Sequence, residues 1–131
     1  MLAACGGGVE VALAPRASDP ACVAVAWPDH VADQRRRSTT PADASTAAWG
    51  DPAIIARCGY AALPATTQDC LSVDGHDWIV TSLSDGYSFT TYGTDPAVEV
   101  LVPSAYAPES MILPDLDAVA AALPKTGHHC M

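Results

Sequence analysis

Between Cys70 and Val102 the chain is cut into short alternating runs by residues that reverse direction. Cys70-Leu71-Ser72-Val73 runs into Asp74-Gly75, a dipeptide that tolerates the positive φ of a two-residue hairpin. Asp77–Leu83 is the return strand, and Asp85-Gly86 makes a second tight turn into Tyr87–Tyr92. Gly93 to Pro96 turns again into Ala97–Val102, where Val98, Val100 and Val102 point one way and Glu99 the other. Strands joined by turns this short pair antiparallel with their neighbours. With a β-branched run at Ala53–Cys58, the expectation is a four- or five-stranded antiparallel meander.

The flanks read as helix. Asp19 is placed to cap free amides, and Pro20 suits a first turn because its missing N–H costs nothing there. A short helix over Ala21–Trp27 follows, stopped near Pro28. At the other end Asp115 follows Pro114 as a cap, and Leu116, Val119, Ala120 and Leu123 fall at helical spacing until Pro124. Residues 33–48 are polar and read as a surface loop, while Val9–Leu13 alternates and reads as a strand or a continuation of a leash. A sheet with one apolar face needs a cover. The expected fold class is therefore α+β, with the meander covered on one face by the N- and C-terminal helices.

The chain has 131 residues, enough for one domain with a real core. Alanine dominates its apolar half and there is a single Phe, so Trp27, Trp49 and Trp78 are the expected large core residues. No apolar run approaches the roughly 18 residues of a spanning helix. Fifteen acidic residues against six basic ones leave a net charge of −9. Phosphate backbones repel such a surface, so nucleic acid is not an expected partner.

Leu2-Ala3-Ala4-Cys5, followed by Gly6-Gly7-Gly8, has the pattern of a bacterial lipoprotein cleavage and lipidation site. Cys5 is the expected point of lipid attachment, and residues 1–8 read as a truncated signal remnant and tether ahead of one domain over 9–131. Only Met1 precedes the pattern, so the basic and apolar parts of a secretory signal are missing. The favoured reading makes Met1 an internal methionine of a longer frame. The alternative leaves Cys5 as one more cytosolic thiol.

Acylation of Cys5 would leave an even set, Cys22, Cys58, Cys70 and Cys130, which can pair completely in an oxidising compartment. Four cysteines allow three connectivities. Cys22–Cys58 with Cys70–Cys130 is favoured, because each bridge would tie one helical segment to the sheet. Unpaired, buried cysteines are the alternative.

Several segments together resemble a family of short actinobacterial envelope proteins catalogued as a domain of unknown function. These are Ala47-Ala48-Trp49-Gly50-Asp51-Pro52-Ala53-Ile54-Ile55-Ala56-Arg57-Cys58-Gly59, then Val73-Asp74-Gly75-His76-Asp77-Trp78, Phe89-Thr90-Thr91-Tyr92-Gly93 and Val98-Glu99-Val100-Leu101-Val102-Pro103. The resemblance covers about residues 20–124 and implies an exported, lipid-anchored domain. It implies no reaction and no catalytic residues. Its pattern places a signal segment ahead of the cysteine, which this chain lacks.

Chemistry-bearing residues are few. No Gly-x-Ser-x-Gly elbow occurs, and Gly6–Gly8 lacks the lysine and preceding strand of a phosphate loop. His76-Asp77 reads as a solvated strand entry before an acid–base pair. A small cell-wall hydrolase, the alternative to a binding module, would need His76, Asp77 or Glu99 to line a pocket. His128-His129-Cys130 offers soft-metal ligands, but adjacent residues converge poorly on one centre, so a further ligand such as His30 would be required. Cys130 reads first as a disulfide partner, and no metal site or cofactor is expected. Arg35-Arg36-Arg37 is the one basic run, either a solvated loop or a contact with anionic headgroups. Trp49-Gly50-Asp51-Pro52 reads as a core tryptophan entering a turn. The functional expectation is an uncharacterised, non-enzymatic protein on the outer face of the cytoplasmic membrane. It would bind or support another envelope component.

Overall fold

The computed structural model describes residues 8–130. It is mostly β. Ten strands are present among the described residues: β1 Val9–Glu10, β2 His30–Val31, β3 Gln34–Arg37, β4 Thr39–Thr40, β5 Thr46–Trp49, β6 Ile54–Tyr60, β7 Cys70–Val73, β8 His76–Leu83, β9 Gly86–Tyr92 and β10 Ala97–Val102. Eight form one antiparallel sheet in the order β2-β3-β5-β6-β10-β9-β8-β7. The other two, β1 and β4, form a small parallel pair.

This overturns the α+β expectation of a four- or five-stranded meander under two helices. The helical segments are slight: α1 is Pro20–Val23, α2 is Asp117–Ala122, and two 3₁₀ stretches cover Ser104–Tyr106 and Glu109–Leu116. Asp19 caps α1 by accepting from the Ala21 amide, but the helix ends after one turn. Asp115 does not cap α2. Its carboxylate accepts from the Ala32 amide instead, and Leu116 occupies the capping position.

The sheet is wide because residues 33–48 hold strands where a loop was expected. β3 reads Gln-Arg-Arg-Arg and is polar because it lies near a sheet edge. β5 reads Thr-Ala-Ala-Trp and is buried throughout. A strand covered on both faces has no reason to alternate, so its pattern resembles no half-exposed strand.

The chain thus builds two antiparallel runs, β2-β3-β5-β6 and β7-β8-β9-β10, joined where β6 pairs with β10 in mid-sheet. Residues 61–69 carry the chain from that centre to the far edge. Alternate residues share a face. One face sets Trp49, Ile54, Ala56, Cys58, Trp78, Phe89, Val98, Val100 and Val102 against Trp27, Val31, Ile112, Leu113, Leu116, Val119 and Leu123. Trp27 meets Trp49 edge-on at 6.2 Å, and their indole N–H groups donate to the carbonyls of Ala44 and Pro28.

The opposite face carries Ala48, Ile79, Ser88 and Tyr92, all buried although no helix lies over them. The chain ends supply cover. The N-terminal segment buries Val11, Ala14 and Ala17 and bonds to β6 through Arg16 N–H to Gly59 O. The C-terminal tail bonds back through Thr126 N–H to Gly93 O, and Asp95 N–H donates to Pro124 O. Gly59, at φ +130°, lets that N-terminal segment lie against the strand, since a Cβ would strike the Arg16 and Ala17 backbone.

Candidate functional site

Two disulfides hold the described chain. Cys22–Cys58 joins α1 to β6, and Cys70–Cys130 joins edge strand β7 to the C-terminal tail rather than to a helix. The second bridge creates the site. It draws His128 and His129 alongside His76 and Asp77, residues more than fifty positions away, to form a shallow cleft of about 170 Å³. Thr91, Tyr92, Thr94 and Lys125 complete its walls.

Several groups there already have structural work. Asp77 Oδ2 accepts from the Cys130 amide at 2.7 Å, which locks the tail onto β8. Tyr92 stacks on His128 with ring centroids 5.7 Å apart. The Lys125 ammonium donates to the carbonyls of Ala120, Ala121 and Leu123. Its three protons are thereby engaged at the end of α2, and burial lowers its pKa.

His76 and Asp77 are neighbours on a strand, so their side chains leave opposite faces. His76 follows Trp78 toward the face that carries α2, whereas Asp77 turns to the tail. They do not form an acid–base couple. Glu99 lies elsewhere, paired across β6–β10 with Arg57 at 2.5 Å. That Arg57 guanidinium also lies 5.6 Å from the Tyr60 ring centroid and donates to Ala12 O. Burial, and then the Glu99 charge, raises the Tyr60 pKa. His30 sits on β2 at the opposite sheet edge from β7 and Cys130. Among the described residues no three His, Cys, Asp or Glu side chains group to hold a metal.

The cleft is small beside the roughly 300–1,000 Å³ of a typical small-molecule site. Neither a serine hydroxyl nor a free thiol lines it. What it presents to solvent is chiefly imidazole, since the Thr91 and Thr94 hydroxyls are buried and bond to each other, Thr91 also accepting from the Val98 amide. A second group of carboxyls lies nearby. Asp117 on α2 has its pKa raised by burial, and further by a hydrogen bond with Asp74 and the Asp74 charge. Its Oδ1 is buried without a partner among the described residues. Sequence reasoning did not single out Tyr92, Thr94 or Asp117. The Cys70–Cys130 bridge was the available signal, because a tail tied to β7 must also lie beside the start of β8.

The lipid-attachment residue, Cys5, falls outside the described residues. The chain belongs to the family described as protein of unknown function (DUF3515), whose model matches residues 7–127. No curated protein and no solved structure matches the chain significantly.

Proposed function

We propose that this member of the family is a lipid-anchored protein of the actinobacterial cell envelope. It would be held to the outer face of the membrane through Cys5 and act as a non-enzymatic binding or support domain. The observation that carries the reading is the cysteine accounting. Cys22, Cys58, Cys70 and Cys130 are consumed in two bridges, which leaves Cys5 alone in a lipidation pattern. Cystines of this kind belong to oxidising compartments. No described helix is long and apolar enough to cross a membrane, so the anchor in this reading is the lipid. Two or more acyl chains, at about 0.8 kcal/mol per buried methylene, hold a protein to a bilayer durably. The histidine-lined cleft, whose Asp77 and Lys125 are already committed to backbone groups, supports recognition of an envelope partner over turnover.

Mass spectrometry of non-reduced protein from its native host tests this. The expected species begins at a diacylglyceryl-modified Cys5 and carries two bridges. Unmodified protein in the soluble interior with all thiols reduced overturns the reading.

A further inference from the structure

The six basic residues of this acidic chain divide sharply by use. Arg16 is paired with Asp19 and Asp95, and Arg57 with Glu99. Lys125 is spent on helix-end carbonyls, and Arg37 donates to Gly50 O at 2.8 Å. Arg35 and Arg36 remain. Both are exposed on β3, and neither guanidinium has a hydrogen-bond partner among the described residues. Exposed His30 lies directly across from Arg35 on β2.

Their place in the fold gives this meaning. The strand continues through Ser38 into β4, and β4 receives the start of the described chain: Val9 N–H donates to Ser38 O at 2.9 Å and Val11 N–H to Thr40 O at 3.0 Å. Arg36 and Arg35 are two and three residues from Ser38, or about 7–10 Å along an extended strand. Cys5 is three residues from Gly8, a reach of at most about 11 Å. A lipid on Cys5 would therefore hold the bilayer surface no farther than about 25 Å from two unpaired guanidinium groups, a leash short enough for the tethered protein to turn that sheet edge onto it.

We propose that Arg35 and Arg36, which leave opposite faces of β3 close to the sheet edge, both reach anionic lipid headgroups when that edge meets the bilayer and so orient the protein, resting on the reading that Cys5 is acylated. Guanidinium matches the geometry of a phosphodiester oxygen pair. Asp29, whose carbonyl accepts from the Arg36 amide, Asp33 next to the strand in sequence, and Asp43, which lines a hollow with Arg36, keep its affinity low. With a net charge of −9, the patch does not recruit the free protein. It turns an already tethered protein so that β2 and β3 face the membrane and the tail-covered cleft at the other sheet edge faces away.

The test installs the tether chemically, so it is independent of whether the host acylates Cys5. The full chain with both disulfides intact is coupled through the Cys5 thiol to maleimide-bearing lipid. The vesicles are of phosphatidylcholine alone, or of phosphatidylcholine with phosphatidylglycerol. Arginine modification by phenylglyoxal is then read residue by residue. Expected is modification of Arg35 and Arg36 about fivefold slower on the anionic vesicles, Arg16 unchanged, and the difference abolished by high salt. Equal rates on the two vesicles overturn the proposal, as does a difference insensitive to salt. Protection of the untethered chain by inorganic phosphate to the same extent also overturns it, since the patch would then be a site for free anion.

Discussion

The two cystines do different things at the two ends of the sheet. Cys22–Cys58 lies fully buried, with Trp27, Trp49 and Ile54 in the same core cluster. Cys70–Cys130 is partly exposed and straps a tail across an edge. Loop length alone favours the second, since it spans 60 residues against 36. That advantage is worth only about 0.5 kcal/mol in the chain-entropy picture. Deleting two buried sulfurs costs more through the cavity left behind. Burial therefore decides the ranking: the core bridge carries the fold, and the edge bridge carries the cleft.

The sharpest way to break this comparison is to delete each bridge. Cys22→Ala/Cys58→Ala should lose about 3–5 kcal/mol and melt cooperatively at a far lower temperature by circular dichroism. Cys70→Ala/Cys130→Ala should lose less, and hydrogen exchange should speed up chiefly in residues 124–130. Equal losses, or a strap deletion that melts the sheet, would end the distinction. Glu99→Gln tests the join between the two strand runs and should cost about 1–2 kcal/mol, because it leaves the half-buried Arg57 cation without its partner. It should also lower the Tyr60 pKa, read by ultraviolet titration of the tyrosinate, since the Glu99 charge helps to raise it.

The smallest effect concerns Asp117, at the cleft end. Its raised pKa means that the folded state keeps a proton which the unfolded chain has released. Stability from this group is present at low pH and falls as pH rises from the ordinary value of 3.8 through the raised one. Asp117→Asn should therefore raise the melting temperature slightly at neutral pH and flatten its decline across that window. A variant with an unchanged pH profile would remove Asp117 from the cleft's electrostatics.

The two strand runs also differ in how plainly they were written. β7 to β10 are legible because their β-branched, aliphatic and aromatic residues are interrupted by polar ones such as Ser72, Thr90 and Glu99, and because Asp74-Gly75 and Asp85-Gly86 mark where the chain reverses. β5 is not legible: two buried alanines carry no β-signal, and its neighbours Arg35–Arg37 look like solvated loop. The spacing of Leu116, Val119, Ala120 and Leu123 does report a buried face, since all four are buried. It overstates the helix, because the chain runs as 3₁₀ to Leu116 and as α only over Asp117–Ala122. The pairing of β6 with β10 is a long-range choice that no local pattern announces. The cleft was illegible for the same reason, being made from two segments that meet only through a cystine.

The position of Cys22 has a mechanical consequence. Any pull delivered through the amino terminus falls first on β1, which holds β4 over two residues. Once that pair is stripped and the segment up to α1 peels off β6, the extension ends at a covalent stop on Cys58. The chain can thus yield by about 40 Å under load and recoil, with the eight-stranded body still whole.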